Sequence, residues 1–250
     1  MERKVIGIIP ARYDSSRFPG KPLADILGKT MIERVYEQAR KSLMLSDVIV
    51  ATDDERIMDE VNRFGGKVVL TSKNHTNGTE RCAEVVHKLL YEVDAVINIQ
   101  GDEPIIDPRQ IDILAEMLQD ERNQIVTLKK KITDATLLDN PNIIKVVSSG
   151  SKAIYFSRSP IPFSRNFPKN QWLENSHFYK HIGLYGFQRT VLDKLVKLPP
   201  SLLETTEQLE QLRWLENGYN ITITATDAES YSVDVPDDLE KIIELLIGVR

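Results

Sequence analysis

The sequence VIGIIP, at residues 5–10, is a short apolar run that ends at a proline. A run without polar alternation is typical of a strand buried on both faces of a parallel sheet. Similar runs follow at Lys67–Leu70, Asp47–Thr52 and Asp94–Gln100. We therefore predict four strands in the first half of the chain, with helices between them.

Helical spacing separates these runs. The apolar residues that repeat at this spacing after the first loop are Ile32, Val35, Tyr36, Ala39 and Leu43. Further helices are predicted over Glu55–Phe64, Gly78–Leu90 and Pro108–Gln119. Alternating strands and helices predict an α/β fold, a parallel sheet with helices on both faces. In such sheets ligands bind beyond the carboxyl ends of the strands.

The pattern changes after Gln124. Strands with fewer helices between them are predicted over Ile125–Lys130, Ile143–Ser148, Ala153–Arg158, Ile182–Gln188 and Ile221–Thr226. We interpret this part as a mixed or antiparallel lid or dimer surface. Pro160–Lys180 carries three prolines and is predicted to be a mobile surface loop. A C-terminal helix is predicted around Leu239 and Leu246.

Composition restricts the class of protein. The 250 residues suit one α/β domain, and the net charge of −5 gives no overall attraction for nucleic acid. The single cysteine, Cys82, excludes an internal disulfide and fits a reducing compartment. No apolar stretch approaches the roughly 20 residues of a membrane span, so we expect a cytoplasmic protein.

The loop after the first strand, residues 10–22, lacks two familiar phosphate-binding motifs. Gly20 is its only glycine, which excludes a dinucleotide-binding fingerprint, and Leu23 stands where a P-loop ending at Gly28-Lys29-Thr30 needs glycine. The loop carries three cations, Arg12, Arg17 and Lys21, that could offset the charge of a triphosphate. The alternative is a solvated basic loop.

The pattern R-x-x-S-x-R-x-P-G-K-P-L at residues 12–23 resembles the signature of 3-deoxy-manno-octulosonate cytidylyltransferases, the CMP-Kdo synthetases. The glycine-rich stretch of the sialate-type enzymes is absent. The resemblance continues in the family's order through residues 52–57, 75–81, 98–104, 153–158, 181–186, 209–213 and 233–239.

This resemblance implies one Rossmann-like nucleotidyltransferase domain over residues 1–250. Residues 1–124 would form the nucleotide-binding half, and residues 125–250 the half for sugar binding and dimerisation, which includes a smaller mixed β/α lid. The implied reaction joins CTP and Kdo to give CMP-Kdo and pyrophosphate, with Mg²⁺ as cofactor and a homodimer as the assembly. Kdo belongs to lipopolysaccharide, so the resemblance implies a Gram-negative-type bacterial or plant source.

The resemblance also implies the site residues. Those for the nucleotide are Ala11, Arg12, Lys21, Asn77, Gly78, Arg81 and Asp102, of which Arg12, Lys21 and Asp102 are implied to be catalytic. Those for the acceptor sugar are Gln100, Arg158, His181, Tyr185 and Glu210. The metal ligands are Asp102 and Asp234.

Asp102 and Asp234 each have a structural role as an alternative to metal binding. Asp102 follows a predicted strand, and Mg²⁺ is typically held by one or two carboxylates plus substrate phosphates, but Gly-Asp-Glu-Pro is also a turn pattern. For Asp234, the family has threonine where this chain has Val235. Valine has no side-chain acceptor, so Asp234 could instead cap the last helix.

More than one role is open for several other residues. Arg81 reaches the base or pairs with Glu80 or Glu84 on its own helix. The family usually has serine where this chain has Asn77. His181 and Tyr185 share one strand face, yet His181 alone reads as an ordinary core histidine. Glu210 alone reads as the polar flank of an amphipathic helix.

The functional alternatives are a cytidylyltransferase for another acid sugar, of the 8-amino-Kdo or sialate type, and a non-catalytic nucleotide-sugar-binding regulator. A regulator need not keep metal ligands, so the presence of Lys21, Asp102 and Asp234 together argues against it.

Overall fold

A computed structural model describes residues 3–14 and 17–248 of the chain. Ser15 and Ser16 of the first loop lie outside these residues. The strands of the first half are β1 Val5–Ala11, β2 Asp25–Ile26, β3 Lys29–Thr30, β4 Asp47–Thr52, β5 Val68–Leu70 and β6 Ala95–Asn98. Its helices are α1 Met31–Ala39, α2 Glu55–Arg63, α3 Gly78–Lys88 and α4 Pro108–Met117.

The predicted strand–helix alternation of the first half is confirmed. Strands β5, β4, β1 and β6 lie side by side and parallel in that order. Helix α1 is shorter than predicted, and the prediction that Leu43 packs with it is wrong, since Leu43 is 91% exposed. The carboxylate of Asp112 accepts the backbone N–H groups of Leu43 and Met44, which turns the chain there.

The strands of the second half are β7 Ile125–Lys131, β8 Lys145–Ser149, β9 Lys152–Ser157, β10 Tyr179–Gln188 and β11 Ile221–Ala225. Its helices are α5 Thr136–Asp139, α6 Trp172–Asn175, α7 Arg189–Leu195, α8 Leu202–Glu207, α9 Glu210–Glu216 and α10 Pro236–Gly248. These helices are more numerous than predicted. Most have four to seven residues, too few for a helical period to stand out in the sequence.

Strand β10 joins the two halves into one mixed sheet. It runs antiparallel to β6 on one side and to β7 on the other. Strand β11 is parallel to β7, and β9 and β8 complete the sheet in antiparallel pairs. The predicted mixed character of the second half is confirmed.

Helices cover both faces of the sheet, as predicted. Along β1, Val5 and Ile9 face a core that includes α1, α2, α4 and α10. Ile6 and Ile8 face a second core with α3, α7 and α9. The carboxyl ends of β1 and β6 are therefore fixed from both sides, where the first loop and Gln100 emerge.

The predicted surface loop Pro160–Lys180 is partly buried. Trp172 is 6% exposed and stacks on Phe178, with ring centroids 5.5 Å apart. These rings pack with Ile132 and Leu138 in a small cluster. Because the second part of the segment carries this cluster, the prediction of a surface loop is wrong there.

Gly186 of β10 is a packing constraint. A Cβ atom there would lie 2.6 Å from Val126 Cγ2 and 2.7 Å from Leu118 Cδ1. We predict that Gly186→Ala lowers the free energy of unfolding by about 1–3 kcal/mol, because the added methyl overpacks the core. Urea unfolding measures this change. The control, Gly248→Ala, has no atom within 4 Å of the added Cβ and should not destabilise the protein. Equal stability of the two variants would contradict the packing argument.

Candidate active site

The first loop places Lys21 against two other segments. After the left-handed turn at Gly20, which has φ of 73°, residues Lys21–Leu23 form a 3₁₀ turn. The ammonium group of Lys21 donates to Asp102 Oδ2 at 2.6 Å and to the carbonyl of Val233 at 2.7 Å. Lys21 is therefore not a solvated loop cation.

Asp102 and Asp234 come together, although they are far apart in the sequence. The backbone N–H of Val233 donates to the carbonyl of Asp102 at 2.9 Å, which docks one segment on the other. Arg17 then pairs with Asp234, with 2.9 Å between Nη2 and Oδ1. Each carboxylate has one cation beside it.

Asp234 is not the cap of the last helix. Helix α10 begins at Pro236, so Asp234 lies outside the capping position. The backbone N–H groups of Asp234 and Val235 instead donate to Asp238 Oδ2, at 3.0 and 3.1 Å. Since Asp238 serves the helix start, the Asp234 carboxylate is left for Arg17 and for a ligand.

Three adjoining cavities surround these residues. The first-loop cavity is lined by residues that include Ala11, Arg12, Arg17, Lys21, Asp102 and Asp234. The α3 cavity is lined by residues that include Arg12, Asn77, Gly78, Arg81, Tyr185 and Glu210. The β10 cavity is lined by residues that include Asp102, Glu103, Lys180, His181, Tyr185 and Asp234.

The cavities share residues that mark where they meet. Gln100 lines all three and donates to the carbonyl of Gly183 at 2.8 Å. Arg12, which is exposed, belongs to the first-loop and α3 cavities. Asp102 and Asp234 belong to the first-loop and β10 cavities. Two ligands, one in the first-loop cavity and one in the β10 cavity, could therefore both contact the two carboxylates.

The α3 cavity is built on the start of a helix. Asn77 is the N-cap of α3, since its Oδ1 accepts the backbone N–H of Glu80 at 2.8 Å. Gly78 lies close under Asn98 and Pro10, where a Cβ would be 3.1–3.2 Å from their side chains. The backbone at this position can approach a ligand closely because no side chain intervenes.

Arg81 does not pair with Glu80 or Glu84. Its guanidinium group is buried and donates to Asp53 at 2.6 Å and to Thr71 at 2.8 Å. The helix-pairing alternative is therefore wrong. Arg81 lines the α3 cavity, but its hydrogen bonds also tie α3 to the loop after β4.

Glu210 begins α9 and faces the α3 cavity rather than the β10 cavity. Thr79 donates to its Oε2 at 3.0 Å. Burial raises the pKa of the Glu210 carboxyl to about 7. The α3 cavity also holds Gln100 and Tyr185, so the structure places Glu210 among residues implied for the nucleotide and residues implied for the sugar.

His181 and Tyr185 lie together in the β10 cavity, as predicted. Their ring centroids are 5.0 Å apart, despite a register shift in β10 between Ile182 and Tyr185. Burial lowers the pKa of His181 to about 3, so the imidazole is neutral at neutral pH. Its Nε2 is 2.9 Å from the hydroxyl of Thr127, while the buried Tyr185 hydroxyl has no partner within the described residues.

Arg158 is not brought to these cavities. Its guanidinium group donates to the backbone carbonyls of Pro141, Glu207 and Gln208, at 2.8, 2.7 and 3.2 Å. Lys145 donates to neighbouring carbonyls of Asn140 and Ile143. These two cations fix the segment before β8, which supplies one wall of the β10 cavity.

The sequence interpretation missed Glu103, Lys180 and Gln211. Gln211 lines both the β10 and α3 cavities. Lys180 lies at the start of β10 and pairs with Glu229, which also pairs with Lys130 at 3.1 Å. Glu103 could have been found from its position beside Asp102, in a segment that resembles the family. Lys180 belongs to the segment Pro160–Lys180, which was predicted to be a surface loop.

Comparisons with known proteins identify the family of the chain. Residues 6–245 match the family model described as cytidylyltransferase. The chain is 50% identical to 3-deoxy-manno-octulosonate cytidylyltransferase of Parabacteroides distasonis, over 97% of this chain and 98% of the relative. The relative of that name from Bacteroides thetaiotaomicron is 51% identical over the same shares. The chain belongs to this family.

Solved structures show which fold the chain shares. A CMP:2-keto-3-deoxy-manno-octonic acid synthetase complexed with CTP has a TM-score of 0.91 and 43% identity, covering 99% of this chain and 100% of that one. A nucleotidyl transferase from Methanothermobacter thermautotroptrophicus is only 12% identical but reaches a TM-score of 0.63. The Rossmann-like nucleotidyltransferase fold is therefore confirmed.

The raised pKa of Glu210 predicts a pH dependence of stability. The folded-state pKa of about 7 lies above the ordinary value of 4.5 for a glutamate, so the folded protein holds a proton that the unfolded chain releases. The stabilisation is present below about pH 4.5 and is lost as pH rises through 7. We expect Glu210→Gln, which cannot ionise, to be more stable than wild type at pH 8 by about 1–3 kcal/mol.

Urea unfolding between pH 4.5 and 8 measures this difference. The exposed Glu240, substituted as Glu240→Gln, is the matched control and should follow the wild-type curve. Parallel pH curves for Glu210→Gln and wild type would show that the carboxyl titrates normally.

Proposed function

We propose that the protein transfers CMP from CTP to the anomeric hydroxyl of 3-deoxy-D-manno-octulosonate, giving CMP-Kdo and pyrophosphate. The observation that carries this proposal is that Asp102 and Asp234 line both the first-loop and the β10 cavities. A phosphate in one cavity and a sugar hydroxyl in the other would then meet beside two carboxylates. Relatives named for this activity match nearly the whole chain at about 50% identity.

The nucleotide would occupy the α3 and first-loop cavities. Gly78 allows the base to approach the backbone at the start of α3. Arg12 lines both cavities and would contact the phosphates between them. Lys21 and Arg17 pair with carboxylates in this structure. When the triphosphate binds, their cationic groups would also donate to its phosphate oxygens.

The acid sugar would occupy the β10 cavity. Hydroxyl groups of the sugar need donors and acceptors, and the unpartnered Tyr185 hydroxyl and the amide of Gln100 line this cavity. Neutral His181 adds a ring nitrogen. Arg158 would support the cavity wall rather than contact the sugar carboxylate, because backbone carbonyls hold its guanidinium group.

The carboxylates fit a magnesium ion. Within residues 3–14 and 17–248, no three or more His, Cys, Asp or Glu side chains form a possible metal site. Mg²⁺ needs only one or two protein carboxylates when substrate phosphates supply other oxygens, and Asp102 and Asp234 supply two. When bound, it would neutralise the α-phosphate and lower the pKa of the attacking hydroxyl.

The residues of the chain position the reaction and stabilise its charge. The hydroxyl oxygen of the sugar forms a bond to the α-phosphorus as the bond to the β-phosphate oxygen breaks; the bonding electrons leave with pyrophosphate, and the hydroxyl proton passes to water. Lys21 and Arg12 would stabilise negative charge on the phosphates and on the leaving pyrophosphate. Gln100, fixed by the carbonyl of Gly183, would hold the substrates at the junction of the cavities.

The setting of the enzyme is also a proposal. We propose a cytoplasmic homodimer that serves lipopolysaccharide biosynthesis, on the basis of the family resemblance. Among the described residues, no helix combines the length and apolar character that crossing a membrane requires. Sedimentation of the purified protein at micromolar concentration tests the dimer.

We predict that Asp102→Ala abolishes pyrophosphate release from CTP and Kdo in the presence of Mg²⁺. The substitution removes a carboxylate at the junction of the cavities and frees the Lys21 ammonium group, so the loss should be at least about 100-fold. A coupled pyrophosphate assay measures it. Turnover like that of wild type would refute the assignment of Asp102.

The control for this substitution is Asp59→Ala, which removes an exposed carboxylate on α2. It should keep wild-type activity. Wild-type protein tested with 8-amino-Kdo and a sialate identifies the acceptor. A higher kcat/KM for either sugar than for Kdo would replace the proposed substrate.

A further inference from the structure

Glu103 is a buried acidic residue without a role in the reaction described so far. It follows Asp102 after β6, is 4% exposed and lines the β10 cavity. Asp102 also lines the first-loop cavity, whereas Glu103 is not among the residues that line it. Both carboxyl groups therefore line the β10 cavity, but only Asp102 also reaches the first-loop cavity, so Glu103 belongs to the acceptor side alone.

The carboxyl group of Glu103 is only partly satisfied. The side chain of Ser230, which also lines the β10 cavity, hydrogen-bonds to it. One carboxyl oxygen, Oε2, is buried and has no hydrogen-bond partner within the described residues. Buried polar atoms are usually paired, so an unpaired oxygen on a side chain that lines a cavity points to a ligand group that completes it.

The surroundings of Glu103 are polar and fixed. Burial raises the pKa of Glu103, and the positive charge of Lys180, which lines the same cavity, opposes this rise. Lys180 itself forms an ion pair with Glu229. The backbone N–H of Ser230 donates to Glu229 at 3.4 Å, so the serine and the lysine are held by one carboxylate. This arrangement holds the Glu103 carboxyl in place before a ligand arrives.

We propose that Glu103 is a specificity-determining residue whose carboxyl group hydrogen-bonds a hydroxyl of the acceptor sugar. The proposal rests on the proposed function, because it takes the β10 cavity as the acceptor site. A sugar carries several hydroxyls, and a carboxyl oxygen is a suitable acceptor for one of them. The contact lies on the acceptor side of Asp102, so it should affect sugar binding and leave CTP binding unchanged.

The test compares Glu103→Ala and Glu103→Gln with wild type. We expect Glu103→Ala to raise the KM for Kdo about 10- to 100-fold, with the KM and Kd for CTP within about twofold of wild type. Glu103→Gln keeps a side-chain oxygen acceptor and should recover most of the loss. The control, Glu116→Ala, removes an exposed carboxylate on α4 and should behave as wild type.

A series of monodeoxy Kdo analogues locates the contact. One analogue should lose affinity with wild type and lose no more with Glu103→Ala, because both changes remove the same hydrogen bond. Additive losses for every analogue would overturn the proposal. So would an unchanged KM for Kdo, or equal rises in the KM for both substrates, which indicate a structural role.

These outcomes separate the two proposals. A wild-type protein that converts Kdo, combined with an unaffected Glu103→Ala, overturns only the role of Glu103. A wild-type protein that does not convert Kdo overturns the proposed function and the inference that rests on it. If Glu103→Ala does not fold, Glu103→Leu replaces it in the analogue series, because leucine fills a similar volume but has no hydrogen-bond acceptor.

Discussion

The ammonium group of Lys21 joins three segments that are distant in the sequence. It donates to the carboxylate of Asp102, after β6, and to the carbonyl of Val233, near the C-terminal helix. The first loop therefore closes over the end of the parallel sheet, and the last segment of the chain docks beside it. Without this junction, Asp102 and Asp234 would belong to separate surfaces.

The junction also balances charge. Lys21 and Arg17 each pair with one of the two carboxylates, and the pair that includes Lys21 is the more buried. Exposed pairs contribute little to stability, so the Arg17–Asp234 pair can open for a substrate at small cost. Under the proposed function, these pairs would hold the two cations in place until phosphate oxygens replace the carboxylates.

Burial sets the protonation of groups around the cavities. It raises the pKa of Glu103 and Glu210 to about 7 and lowers that of His181 to about 3. A neutral imidazole beside a tyrosine hydroxyl that has no partner among the described residues offers uncharged hydrogen-bonding groups to a ligand. The β10 cavity combines these neutral groups with the carboxylates of Asp102 and Asp234, which it shares with the first-loop cavity.

The parallel half of the fold was predictable because its strands are buried runs that alternate with helices long enough to show their period. The C-terminal helix and the strands of the second half were also predictable. The buried cluster around Trp172 was missed because its segment is rich in proline and polar residues. Its apolar side chains are buried against Ile132 and Leu138, which are distant in the sequence.

The positions of site residues were predictable where the side chain has few alternative partners nearby. Lys21, Asp102 and Asp234 meet as the family resemblance implied. Arg158 differs because an arginine at a strand end can satisfy backbone carbonyls as well as a ligand, and spacing does not distinguish these partners. Glu103 and Lys180 were missed because their role depends on a cavity that only tertiary structure creates.

In the proposed reaction, the anomeric hydroxyl of the sugar attacks the α-phosphorus of CTP where the cavities meet. The decisive measurement uses Kdo labelled with ¹⁸O at the anomeric oxygen and follows the products by ³¹P NMR. We expect an isotope-shifted phosphorus signal in CMP-Kdo and unlabelled pyrophosphate. Label in pyrophosphate, or CMP-Kdo without label, would rule out this attack.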